Sequence, residues 1–210
     1  RGQRSGGEVI FEGIREETVS KINLEEWEQR YATKAYSPRQ APSPLLVSWL
    51  SRLPRGRALD LACGYGRNAS FLAQQGYIVD AIDISRSALL EARKRASSLR
   101  LRIDWIQADL DNYCLPEGVY NVIVSSFCFN NGLAPRIAAA LAPSGILIYE
   151  HHLLSEEPVD GPQGDKNRLK PGELPTLFPS LVSLYYEEGF VMMEGRKNAL
   201  ARMVAQRFAK

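Results

Sequence analysis

A chain of 210 residues, 45% apolar and 24% charged, is long enough for one well-filled core and is not the composition of a disordered protein. Its 26 basic residues exceed its 24 acidic ones by only two, so bulk charge gives no reason to expect nucleic acid, although Arg1, Arg4, Arg196, Lys197, Arg202, Arg207 and Lys210 make both ends mildly basic. Cys63, Cys114 and Cys128 fall in no finger or C-x-x-C spacing, which argues against a disulfide scaffold and for a reduced, cytoplasmic protein.

Residues 1–22 are expected to be a flexible lead-in, glycine-rich and polar over 1–8 and weak in signal after that. No apolar run reaches the roughly 18 residues of a membrane span, and the start lacks a signal peptide's apolar core. It begins at Arg1 rather than Met, so removal of a leader stays open. A helix is expected from Asn23, its cap, with Leu24, Trp27, Tyr31 and Ala35 at three- and four-residue steps. Ser37-Pro38 and Ala41-Pro42-Ser43-Pro44 read as a loop, and Leu45–Leu53 as a short helix with Pro44 in its first turn. Alternation then begins. Strands at Ala58–Ala62, Tyr77–Ile82, Arg102–Ala108, Val119–Ser125 and Ile146–Glu150 are interleaved with helices at Asn68–Gln75, Ser85–Leu99 and Leu133–Leu141. Gly76 is placed to end the first of these helices and Ser85 to cap the second. Residues 155–175, rich in Pro, Gly and Asp, exceed an ordinary connection and read as a lid, a binding loop or a disordered stretch. Leu181–Tyr186 and Ala199–Phe208 read as two late strands, with a turn at Glu188-Gly189 and with Gly195 and Lys197-Asn198 in the link between them. β-α repeats of this length predict an α/β, doubly wound, mostly parallel sheet with helices on both faces.

In such a sheet ligands bind beyond the carboxyl ends of the strands. The first strand runs into Cys63-Gly64-Tyr65-Gly66 and a helix start at Asn68. Two glycines at that spacing allow positive φ and a close backbone approach. Asp83 ends the second strand, where a carboxylate's two oxygens suit a ribose; a helix-start or turn role is the plainer alternative. Asp109, followed by Leu110, ends the third, placed to accept from an exocyclic amine or as a plain loop acid. Ser125-Ser126-Phe127 ends the fourth. Asp60 reads either as a ligand-side acid or as a structural hydrogen-bonding group. Cys63 reads as a packed residue, since no histidine is near it in sequence. A dinucleotide turn usually has a third glycine, and Ala69 stands there.

Leu59-Asp60-Leu61-Ala62-Cys63-Gly64-Tyr65-Gly66 resembles the first motif of class I S-adenosylmethionine-dependent methyltransferases. Ile82-Asp83-Ile84-Ser85 resembles their acidic second motif and Gln107-Ala108-Asp109-Leu110 their third. Phe71-Leu72-Ala73 through Gly76-Tyr77 and the Leu-Phe-Pro…Tyr-Glu-Glu-Gly pattern are similar to the small bacterial tellurite-resistance-type (TehB-like) members. The resemblance implies a Rossmann-like seven-stranded sheet with an antiparallel last strand. It implies one methyltransferase domain over 23–210, with helices of 23–53 capping the site. It implies S-adenosylmethionine as cofactor and S-adenosylhomocysteine as product. Asp60 and Cys63–Gly66 would face the amino-acid part of the cofactor, and Asp83 the ribose hydroxyls. Ile84 would pack on the adenine, Asp109 would contact its amino group, and Ser125 and Phe127 would lie near the methyl. Tyr65, Asn68 and Leu110 complete the set. Ala62 departs from the pattern, which has glycine there, and is expected to tighten the packing slightly.

The expected reaction is methyl transfer to a small-molecule acceptor, which needs alignment more than acid–base equipment. His151 and His152 follow the strand ending at Glu150 and read either as a base or as polar loop residues. Adjacent residues in extended chain point apart, so no metal is expected on them. Trp27, Tyr31, Tyr36, Arg39 and Arg168 are candidates for the acceptor pocket. Core packing competes for Trp27 and Tyr31, and solvation for Arg168. Partners beyond the acceptor are not expected: no nucleic acid, no membrane, a monomer or homodimer. The alternatives are an NAD-dependent oxidoreductase and a non-catalytic nucleoside-binding regulatory protein.

Overall fold

A computed structural model describes residues 9–11, 14–16, 21–33, 39–128, 132–161 and 168–209. In chain order the elements are β1 (Val9–Phe11), β2 (Ile14–Glu16), α1 (Lys21–Ala32), α2 (Pro44–Trp49), a 3-10 turn at Leu50–Arg52, β3 (Arg57–Leu61), α3 (Arg67–Gln74), β4 (Ile78–Asp83) and α4 (Arg86–Ser98). There follow β5 (Ile103–Gln107), β6 (Tyr120–Ser126), α5 (Ala134–Ala140), β7 (Leu141–His152), α6 (Glu173–Leu177), β8 (Leu181–Met193) and β9 (Arg196–Arg207). Two compact units result, Arg1–Pro42 with Ala58–Cys114, and Ser43–Arg57 with Leu115–Lys210.

The first unit orders its strands β1-β2-β5-β4-β3. β4 and β2 both run parallel to β5, and β1 is antiparallel to β2. Ala58, Leu59, Asp60 and Leu61 are all buried, as a strand covered on both faces requires. Ser85 caps α4 as expected, its hydroxyl oxygen accepting the Ala88 N–H at 3.1 Å. Gly76, at φ +85°, closes α3. Asn23 is no cap. α1 begins two residues before it, at Lys21.

The second unit orders its strands β6-β7-β9-β8. β6 and β7 are parallel, whereas β9 is antiparallel to both β7 and β8. The antiparallel last strand is therefore present. Ser43 caps α2 with Pro44 in its first turn, which suits proline's missing N–H. The β8–β9 turn is not at Glu188-Gly189: Gly189 is paired with Leu200 inside the ladder. The chain reverses at Glu194 and Gly195, at φ +51° and +76°, the two left-handed residues of the hairpin turn that matches strand twist.

The seven expected strands are β3 to β9. Two more, β1 and β2, are present among the described residues, so the count of seven is corrected upward. The short helix α6 begins near the end of the long 155–175 segment and runs past it, and Leu153 bridges Leu169 across part of the segment. Ala35, Tyr36 and residues 1–8 lie outside the described residues.

Candidate functional site

The chemistry of the first unit gathers at the turn that leaves β3. Ala62, Gly64 and Gly66 have φ of +50°, +53° and +69°. Glycine takes this region freely, while a residue with a Cβ pays about 1–2 kcal/mol. Ala62 is thus strained backbone rather than tighter packing, and its φ explains why glycine suits the position. The turn is pinned by Cys63 N–H donating to Ile82 O and Gly66 N–H donating to Cys63 O, each at 2.9 Å. Cys63 is buried, and burial raises its thiol pKa well above the ordinary value, which disfavours the thiolate that a nucleophile needs.

The space freed by the missing Cβ atoms is filled by the protein itself. A Cβ on Gly64 would lie 2.7 Å from the Tyr31 hydroxyl oxygen, and one on Gly66 2.6 Å from Trp105 Cη2. On the side where a Cβ would stand, both glycines therefore meet side chains from other elements. Tyr31 packs on Tyr65 at 5.2 Å between ring centroids and on Trp27 at 6.1 Å. The Arg95 guanidinium covers the Tyr65 ring at 4.9 Å, a cation on a π face.

Three carboxylates stand on this frame. Asp60 accepts the Ala69 N–H at 2.9 Å, so a buried strand acid holds the first turn of α3. Burial pushes its pKa up to about 7, against the opposing pull of that bond, the Arg67 charge and Asn68. Asn68 is itself buried. Asp83, ending β4, accepts from Gly64 N–H at 2.7 Å and from Ser85 N–H at 2.9 Å, one on each oxygen. Burial raises it to about 6; those two bonds lower it and the Glu28 charge raises it. Asp109 is buried beyond β5 and turns its chain, accepting from Asp111 N–H at 3.0 Å and from Asn112 Nδ2 at 3.3 Å. The ends of β4 and β5 are held together by Ala108 N–H to Asp83 O at 3.0 Å and Gln107 Nε2 to Ile84 O at 3.2 Å. Ile84 and Leu110 are half-buried.

Sequence reasoning missed Glu28. Its carboxylate accepts from the Ser85 hydroxyl at 2.7 Å, the Ser87 N–H at 3.0 Å and the Ser87 hydroxyl. The signal available was a pair of serines at the start of α4, donors in want of an anion. Arg39 is half-buried.

In the second unit Ser125 is fully buried, and its hydroxyl has no partner among the described residues. Phe127, at φ +63°, donates its N–H to Glu150 O at 2.9 Å, and its ring lies 4.7 Å from that of His152. His151 and His152 are buried within β7 rather than placed in a loop after it. Their rings are 5.8 Å apart at a steep angle. Arg168 is buried, not solvated, and donates to Leu153 O at 3.0 Å and Asp160 O at 3.5 Å. These two bonds tie Arg168 to the backbone at Leu153 and Asp160. Among the described residues no group of three or more His, Cys, Asp or Glu is placed to hold a metal ion.

The methyltransferase domain family matches residues 58–145. The match begins at β3, includes all three carboxylates and ends within β7, so it rests on the segments whose geometry is described above. YqeM of Bacillus subtilis is 31% identical over 123 residues, 53% of this chain and 49% of YqeM. The trans-aconitate 2-methyltransferase of Variovorax paradoxus is 26% identical over 166 residues, 71% of this chain and 64% of that protein. The chain spans about half or less of the length of YqeM and of other curated relatives it matches. TehB from Haemophilus influenzae has the same fold, with a TM-score of 0.71 at 20% identity over 86% of this chain and 67% of TehB. The class I methyltransferase resemblance is borne out at the level of domain and fold.

Proposed function

We propose that the chain carries out S-adenosylmethionine-dependent methyl transfer to a small-molecule acceptor. The observation that carries this reading is Asp83. It is a buried acid at the end of β4 whose two oxygens each accept one backbone N–H. A carboxylate offers about four acceptor positions, so capacity remains for the two hydroxyls of a ribose. Asp109 at the end of β5 has the same chemistry toward a donor on adenine. These residues fit an adenosyl ligand. When bound, its sulfonium supplies an electrophilic methyl. The work left to the chain is to hold, orient and shield.

In that reading Asp83 orients the ribose, Ile84 and Leu110 supply half-buried apolar surface for the adenine, and the Cys63–Gly66 turn positions the amino-acid part. Trp27, Tyr31 and Arg39 are proposed acceptor-side residues. Tyr31, packed on Gly64 and Tyr65, is the best supported of them. An acceptor that is already a good nucleophile needs no base; for a weaker one, His151 or His152 is the proposed proton acceptor. Three free cysteines fit a reducing cytoplasm, and no helix of the described residues is long and apolar enough to cross a membrane.

Calorimetric titration tests the cofactor. S-adenosylhomocysteine is expected to bind one-to-one in the micromolar range and NADH not to bind. NADH binding in place of S-adenosylhomocysteine would establish the oxidoreductase alternative instead. A panel of thiols, oxyanions, chalcogen anions, small amines and, from the name of one relative, carboxylic acids then reads the acceptor. Binding without turnover on all of them would favour the regulatory alternative.

A further inference from the structure

Glu28 is bound to the start of α4 from another helix. Its two oxygens take up the Ser85 hydroxyl, the Ser87 N–H and the Ser87 hydroxyl, and a carboxylate at a helix N-terminus is favoured by the helix dipole. One turn further along α1, on the same face, the Tyr31 hydroxyl covers Gly64 and its ring packs on Tyr65. Tyr65 in turn lies under Arg95 of α4. Two ties, three residues apart on α1, therefore join that helix to α4 and to the turn. Ser85 links the first tie to the proposed ribose acid, since its N–H donates to Asp83 while its hydroxyl donates to Glu28.

We propose that Glu28 is a positioning residue, a latch that holds α1 on α4 and so keeps Tyr31 on the Cys63–Gly66 turn and Ser85 on Asp83. The affinity for an adenosyl ligand then depends on a carboxylate that belongs to neither the turn nor the strand ends. This rests on the reading of the site given above. Without the latch, α1 loses its charged tie, and the turn is free to lose the Tyr31 ring that packs against it.

The test compares Glu28→Ala, Glu28→Gln, Tyr31→Ala and the double variant of Glu28→Ala with Tyr31→Ala, by titration with S-adenosylhomocysteine and by amide exchange of residues 21–33. Glu26→Ala is the control, because Glu26 pairs with Arg30 on the exposed side of the same helix. Loss of charge-assisted hydrogen bonds predicts an affinity loss of roughly tenfold for Glu28→Ala, with faster exchange across α1. Glu28→Gln keeps one acceptor oxygen and is expected to recover part of the loss; it carries the test if the alanine variant does not fold. The double variant is expected to lose less than the sum of the two single losses, since part of the Glu28 effect passes through the Tyr31 ring. Glu26→Ala is expected to bind within about twofold of wild type. Binding within twofold for Glu28→Ala, or additive losses in the double variant, would overturn the latch. If wild type binds no S-adenosylhomocysteine, the cofactor reading fails and exchange alone decides: unchanged exchange across α1 in Glu28→Ala overturns the latch, faster exchange supports it.

Discussion

Gly66→Ala is expected to destabilise the protein by about 3 kcal/mol, from about 1–2 kcal/mol of left-handed backbone strain and a comparable overpacking cost. Gly66 sits at φ +69° at the head of α3, so any Cβ is strained before it meets a neighbour. The neighbour is then the Trp105 ring, at 2.6 and 2.9 Å, with Ala92 Cβ at 3.3 Å. Trp105 is buried on β5 and Ala92 on α4, so neither has open solvent to move into. The melting temperature should fall by roughly 10 °C, given about 2–4 °C per kcal/mol at this chain length. Ala62→Gly is the reciprocal test. It relieves a φ of +50° and loses some entropy in the unfolded chain, for a net gain of up to about 1 kcal/mol. Equilibrium unfolding of both variants decides the matter. A Gly66→Ala protein as stable as wild type would mean that the turn does not have the conformation described.

Asp83→Ala is expected to weaken S-adenosylhomocysteine binding by roughly a hundredfold, two charge-assisted hydrogen bonds being worth about 3 kcal/mol together. Asp83→Asn keeps one acceptor oxygen and should lose roughly tenfold. The pH dependence has a definite sign. Burial lifts the Asp83 carboxyl from 3.8 to about 6, and it is the ionised form that accepts from both hydroxyls. Affinity should therefore be flat with respect to this group above pH of about 7 and fall by up to tenfold per unit below about 6. Stability runs the other way. Between about pH 4 and 6 the folded protein holds a proton that the unfolded chain has released, so the contribution of Asp83 to stability declines as pH rises through that window. Ligand titrations between pH 5 and 8 check the affinity, and equilibrium unfolding between pH 4 and 7 checks the stability, on wild type and Asp83→Asn. A wild-type affinity that does not change over that range would remove Asp83 from the site.

Much of the first unit was legible because its signals are local. Ser85 caps α4 where a serine precedes a helical apolar face, and Gly76 ends α3 where the periodicity stops. The carboxylates at the ends of β4 and β5 followed from strand ends alone. Other features depend on contacts that no local pattern carries. β1 and β2 have three residues each, too few for an alternation to register. Glu28 stands beside Glu25 and Glu26 on one helix, and only the arrival of Ser85 and Ser87 from 57 and 59 residues away sets it apart. Between Leu181 and Arg207 the dipeptide Glu-Gly occurs at 188–189 and again at 194–195; the register of β8 against β9 selects the second. The freedom of Gly64 and Gly66 was legible, but not its use. Tyr31 and Trp105 come from other elements to occupy the side that each missing Cβ leaves open.

The most direct measurement is a structure of the chain with S-adenosylhomocysteine bound. The account predicts both ribose hydroxyls within hydrogen-bond reach of the Asp83 carboxylate and the amino-acid end of the ligand against Cys63–Gly66. A ligand seated away from the ends of β3, β4 and β5, with Asp83 touching only Gly64 and Ser85, would contradict it.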